Sequence, residues 1–136
     1  METINALLLL TPKKQLAYLD ETMSIRQALE KMRIHGYMAI PVLSKKGEYI
    51  GSISEGDLLW AIVDEEMDEE YMEETYIIDI IRKDYTPAVK VDASVDKLKE
   101  MLMNQNYVPV IDDSSIFMGI VTRSRFLKAL IDDKKE

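Results

Sequence analysis

Ile40-Pro41-Val42-Leu43, followed by Gly51-Ser52-Ile53-Ser54, decides the fold, because the chain repeats it as Val108-Pro109-Val110-Ile111 and Gly119-Ile120-Val121-Thr122. In both copies the glycine lies ten positions after the proline, and the hydroxyl residue three after the glycine. A polar turn and an apolar run come next, Leu58-Leu59-Trp60 in one copy and Phe126-Leu127 in the other. A duplication in register means two copies of one supersecondary unit, and each copy must pack on its twin to bury its apolar face.

Working outward from the motif, Ser24 and Gln27 form a capping-box signature, and Ile25, Ala28, Leu29 and Met32 fall on one helical face. The second copy has Ser94 as cap, with Val95, Leu98 and Leu102 along one stripe. Each helix leads to a short apolar strand carrying the Pro-Val pair, a turn (residues 44–48 or 112–115), and a second strand, residues 49–53 or 116–121. A closing helix carries Leu58, Leu59, Ile62 and Val63, or Phe126, Leu127, Leu130 and Ile131. An extended segment, Leu16 to Leu19 or Ala88 to Val91, precedes each unit. The pattern predicts an α/β fold.

The order of elements, the hydrophobic-Pro-Val strand and the Gly-x-h-[Ser/Thr]-x-x-Asp sequence before a helix resemble the cystathionine β-synthase (CBS) domain. Two copies in register resemble the tandem pair known as a Bateman module, over roughly Leu7 to Ile131. The resemblance implies two pseudo-symmetric repeats, each a small sheet with flanking helices. They are expected at about 7–64 and 76–131, with an acidic linker at 65–75.

At 136 residues and 47% hydrophobic content the chain is one domain's worth of protein, with a core that both repeats share. It has no cysteine, which excludes disulfides and thiolate metal sites. The apolar run Leu7 to Leu10 is too short for a signal or membrane-spanning segment, so a cytoplasmic protein is expected, without membrane association. A formal charge of -8 argues against nucleic acid as a partner, since phosphate backbones are bound by lysine and arginine.

The acidic excess is concentrated between the repeats: residues 64–74 hold eight carboxylates in eleven positions, broken by Met67, Tyr71 and Met72. A solvated linker helix with a thin apolar edge is the expectation, since the ligand and glycine spacing of a calcium loop is missing. Tyr76 to Ile81 then reads as a lead-in to the second repeat, matched in the first by Leu7 to Leu10.

At the repeated motif, Ser54-Glu55-Gly56-Asp57 suits a helix start, with Ser54 as cap and Asp57 bonding back to the backbone. A purely structural role predicts an acid at both equivalent positions, yet the second copy reads Thr122-Arg123-Ser124-Arg125. A cation in the first turn faces the positive end of the helix dipole, whereas an anion there would meet free N–H groups and both arginines. The family resemblance implies that Asp57 takes the ribose hydroxyls of an adenosine ligand and that Ser54 approaches its phosphate. A carboxylate suits a vicinal diol because it is an acceptor only. By the same resemblance Thr86, Pro87, Ala88, Tyr107 and Val108 complete a first site around adenine. A second site would join Thr122, Arg123 and Arg125 to Leu16, Ala17, Tyr37, Met38 and Ala39. The two depart from the family pattern in opposite ways. Glu55 stands where its counterpart Arg123 is basic, and the loop before Pro109 reads as two residues shorter than that before Pro41; the second site lacks the ribose acid. One site favours nucleoside and the other phosphate.

His35, the lone histidine, suits a helix C-terminus as a cap or surface residue. Trp60 and the nine methionines suit core and interface packing, and Tyr37 and Tyr107 could stack on a purine. No nucleophile and base are spaced to meet, and no metal or cofactor is required. The expectation is a regulatory module, not an enzyme. It binds an adenosine-containing nucleotide such as AMP, ADP or ATP between its repeats and signals through an effector protein or a change of oligomer. By family analogy it is a homodimer. The alternative is an adaptor whose clefts stay empty.

Overall fold

The structure, a computed structural model, describes residues 4–82 and 86–134. These form two compact units: one runs from Ala17 to Arg82, and the other combines the chain up to Leu16 with the chain from Thr86 onward.

In the first unit, β2 (Leu19–Asp20) lies parallel to β3 (Ala39–Leu43), which pairs antiparallel with β4 (Tyr49–Ser54). Helix α2 (Ile25–His35) makes the crossover between β2 and β3. The capping box read from sequence starts this helix: Ser24 accepts from the Gln27 amide, and the Gln27 side chain accepts from the Ser24 amide. Gly36 ends it in a left-handed conformation at φ 69°, with the Gly36 and Tyr37 amides both donating to the Met32 carbonyl. Helix α3 (Glu55–Asp64) follows β4 directly. The core is made by Leu19, Ile25, Ala28, Met32, Ile40, Val42, Ile53 and Leu58; of the closing-helix positions in the apolar pattern only Leu58 is fully buried, Ile62 packs at the edge, and Leu59 and Val63 stay exposed.

In the second unit β5 (Val89–Lys90) runs parallel to β6 (Tyr107–Ile111), and β6 pairs antiparallel with β7 (Phe117–Thr122). Helix α5 (Val95–Leu102) makes the crossover, and α6 (Arg123–Lys134) follows β7. The duplication extends to detail: both hairpins slip register at the same step, between Val42 and Leu43 and between Val110 and Ile111. The second copy reaches Pro109 two residues sooner because α5 is shorter than α2, eight residues against eleven. The connection to β6 is not shortened, so the shorter loop expected from sequence is a shorter helix.

The lead-in segments are exchanged between the repeats. Helix α1 (Ala6–Leu9) and β1 (Thr11–Pro12) stand at the start of the first repeat in sequence, yet Ala6 and Leu9 lie in the core with Leu98, Val108, Val121 and Phe126. Strand β1 forms the edge of the second sheet, with Pro12 opposite Gly119. Gly119 sits at φ 153°, and a Cβ there would stand 2.2 Å from the Thr11 carbonyl oxygen, so the backbones meet only because the residue is glycine. Ile77, at the start of the second repeat, is fully buried in the core of the first unit. Ile81 crosses Gly51, where an added Cβ would meet its Cδ1 at 3.1 Å. The motif glycines thus mark the places where the exchanged segments press on the hairpins.

The acidic stretch belongs to the first unit. It ends α3, turns through Glu66 at φ 49°, and restarts at the Asp68 cap as α4 (Glu69–Glu74). Met67 and Met72 face the core of that unit as its apolar edge. Arg26 of α2 ties the helix down through Glu73, and the Ile25 amide donates to the Thr75 carbonyl. Of the core and interface packing expected of Trp60, the core part is not met: it is 64% exposed, with Leu59 and Val63 exposed on the same helix.

Candidate functional site

In the first unit the motif residues converge where β4 meets α3. The Ser54 hydroxyl accepts from the Asp57 amide at 3.1 Å, and Asp57 Oδ2 accepts from the Ser54 amide at 2.9 Å. The capping role is therefore filled. The other oxygen, Oδ1, is met by Arg82 Nη2 at 2.9 Å; the Asp57 side chain is 13% exposed and that of Arg82 57%. A single carboxylate thus has one oxygen fixing a helix start and the other held by a cation at the solvent boundary. Arg82 has no signal in the sequence motif. It reaches Asp57 because Ile81 and Arg82 run across Gly51 on the strand that delivers Ser54.

At the same end of this sheet, Ala39 lies opposite Ser54, and the Met38 carbonyl accepts from the Glu55 amide at 2.9 Å. The Ala17 amide donates to the Tyr37 hydroxyl at 3.2 Å, which joins two of the proposed base-pocket residues. Met38 is exposed, and the His35 ring meets the Tyr37 ring edge-on, with centroids 6.1 Å apart.

The second unit repeats the layout with different chemistry. Tyr107 lies opposite Thr122 and Val108 opposite Val121. The Thr122 hydroxyl accepts from the Arg125 amide at 3.2 Å, so the threonine caps α6 as Ser54 caps α3, while an exposed arginine takes the place of Asp57. Arg123 is not simply poised for an anion. Its Nε donates to the Leu102 carbonyl at 2.8 Å and its Nη1 to Asn106 Oδ1 at 3.0 Å, which closes the end of α5.

Thr86, Pro87 and Ala88 lead into β5. Thr86 is 7% exposed and held at φ 61°, a left-handed conformation that a β-branched residue adopts only under constraint. The side-chain amide of Gln105, absent from the sequence-based set, donates to the Pro87 carbonyl at 3.1 Å and to the Tyr107 carbonyl at 2.9 Å. It thereby joins two of the residues assigned to adenine. The Tyr107 side chain is largely covered, at 8% exposure, which leaves little ring face for stacking. Leu16 follows a 3-10 turn at Lys13–Gln15 and closes it through its amide. The first unit thus carries Ser54 and Asp57 of one expected site and Ala17, Tyr37, Met38 and Ala39 of the other, while Leu16 falls in the same unit as Thr122, Arg123 and Arg125.

Among the described residues, no helix is long and apolar enough to cross a membrane, and no cluster of three or more histidines and carboxylates is arranged to hold a metal. A family model for the CBS domain matches residues 9–64 and again residues 77–132. An A-adding tRNA nucleotidyltransferase of Aquifex aeolicus is 30% identical over 117 residues; the match covers 85% of this chain but only 13% of that enzyme. Among solved structures, a CBS domain protein from Streptococcus pneumoniae is 28% identical with a TM-score of 0.86, covering 95% of this chain and 88% of that one. The CbpB protein of Listeria monocytogenes, solved in complex with c-di-AMP, is 25% identical with a TM-score of 0.82, covering 93% and 94%. With the duplicated hairpins, the capped helices and two matches over most of its length, the chain belongs to the CBS-domain family as a tandem pair.

Proposed function

We propose that this protein is a regulatory module that binds an adenosine-containing nucleotide through residues of both repeats and signals through a partner protein or a change of oligomer. The observation that carries the reading is Asp57: a capping box holds its carboxylate in place, and its second oxygen, paired with Arg82 at the solvent boundary, is the acceptor that would take the ribose hydroxyls. The Listeria relative in complex with c-di-AMP supports the same ligand chemistry. Ser54 and Asp57 with Thr86, Pro87, Ala88, Tyr107 and Val108 would form one site. Thr122, Arg123 and Arg125 with Leu16, Ala17, Tyr37, Met38 and Ala39 would form the other, where arginine favours phosphate over ribose. Ligand bridging the repeats shifts their arrangement only to the extent that it prefers one arrangement over another.

The test is thermal denaturation with AMP, ADP, ATP, S-adenosylmethionine, NAD and cyclic di-AMP, against guanine and pyrimidine nucleotides. A ligand at 100 times its dissociation constant adds about 2.7 kcal/mol, so a true ligand raises the melting temperature clearly. Asp57→Ala should abolish that rise while lowering the intrinsic stability by only about 1 kcal/mol. No shift with any adenosine compound would favour the second reading, an adaptor. Its support is the exposed apolar face of α3, with Leu59, Trp60 and Val63, and the exposed Leu127 and Ile131 of α6. The same faces fit a homodimer, which both readings accommodate.

A further inference from the structure

Arg82 is the cation that the first half-site lacks on its own motif. The motif there reads Ser54-Glu55-Gly56-Asp57, two carboxylates and no base, and such a pair repels phosphate. The Arg82 guanidinium sits 2.9 Å from the carboxylate oxygen that is free of the helix cap, while the Asp57 side chain has little exposure left. A ribose diol arriving at that oxygen therefore competes with Arg82 for it. Arg82 is itself more than half exposed, and its backbone carbonyl oxygen lies 3.5 Å from where a Cβ on Gly51 would stand.

We infer that Arg82 is a specificity-determining residue that exchanges partners on binding, from the Asp57 carboxylate in the free protein to the ligand phosphate in the complex. The inference rests on the reading of Asp57 as the ribose acid. An adenosine without phosphate breaks the Arg82–Asp57 pair and gives the guanidinium nothing in return. A nucleotide offers it phosphate oxygens that suit its planar fork of donors. The residue thus selects adenine nucleotides against the free nucleoside, at a site whose own motif is acidic.

The experiment is calorimetric titration of wild type, Arg82→Gln and Arg82→Lys with adenosine and with AMP at fixed ionic strength. Arg82→Gln should weaken AMP by about tenfold and leave adenosine equal or tighter, so the preference for AMP falls by about tenfold or more. Arg82→Lys, which keeps the charge but not the fork, should fall between. An unchanged ratio of AMP to adenosine affinity in Arg82→Gln, with both ligands still bound, would overturn the exchange and leave Arg82 as a fixed bridge. Failure of wild type to bind either ligand would overturn the reading of Asp57 and the exchange with it. Circular dichroism melts of the three proteins separate both results from a loss of fold.

Discussion

Arg123 donates Nε–H to the Leu102 carbonyl oxygen at 2.8 Å, so the first residue of α6 closes the last turn of α5. The same guanidinium holds Asn106 in the connection that leads to β6. One side chain therefore sets the path of the backbone into Tyr107. Arg123→Ala should cost about 1–2 kcal/mol of stability, the value of a charge-assisted bond to an orphan helix carbonyl discounted for exposure. Chemical denaturation would measure it, with wild-type stability as the contrary result.

Arg125 has the opposite expected profile. It is exposed in the first turn of α6, where a cation opposes the helix dipole, so Arg125→Asp should hold or raise stability. The same substitution should remove the preference for multiply phosphorylated ligands and improve affinity for adenosine. Salt should weaken ATP more than adenosine in wild type, since the Debye length is about 8 Å at physiological ionic strength. An unchanged ligand ranking would mean that this half-site takes no phosphate.

The motif glycines should differ in their tolerance of alanine. At Gly119 the new Cβ would strike the Thr11 carbonyl, a backbone atom, from a conformation that disfavours any side chain. Gly119→Ala should cost about 3 kcal/mol or more. At Gly51 the nearest atom is the far end of the Ile81 side chain, which can move, so Gly51→Ala should cost about 1 kcal/mol or less. Paired urea melts would reveal the ranking.

Asp20 ends β2, and its carboxylate accepts from the Thr22 hydroxyl and from the Thr22 amide at 2.8 Å. The hydroxyl bond first, and the amide bond second, hold its pKa below the ordinary carboxylate value, with Lys45 adding to the effect. A depressed folded pKa stabilises the fold at every pH above the unfolded value of about 3.9, and that contribution fades as pH falls through the lowered folded value. Thr22→Val should raise the Asp20 pKa toward 3.9 and shrink the contribution. Carboxyl NMR titration of both proteins would detect it.

Trp60 is the single tryptophan, and it stands exposed on α3 beside Leu59. If this face joins two copies, its fluorescence should shift to shorter wavelength as protein concentration rises, and Trp60→Glu should remain monomeric by light scattering. Emission that stays red-shifted at every concentration would assign the face to another partner.

Local chemistry was legible in the sequence and remote chemistry was not. Ser24 with Gln27, Ser54 with Asp57, and the stripe of Leu98 and Leu102 are bonded or packed within a turn or two, so spacing alone discloses them. Arg82 meets Asp57 only after the chain has traversed α4, and Gln105 reaches Pro87 across the whole of α5. Neither leaves a periodic trace. Arg123 could be read as an anion ligand because sequence reveals its charge but not the carbonyl that it faces.

The exchanged lead-in segments bear on how such a chain arises. A single ancestral copy would present its preceding segment to a neighbour while needing a neighbour's segment to complete its own core, where Ile77 now sits in one half and Leu9 in the other. Two separate chains could satisfy this only by trading arms, at whatever concentration they happened to share. Tandem duplication turns the trade into one made within a molecule, at an effective concentration on the order of millimolar. In such a chain the loss of either copy would take a core segment, Ile77 or Leu9, from the other, whereas the motif positions carry no such constraint and hold Asp57 in one copy and Arg125 in the other.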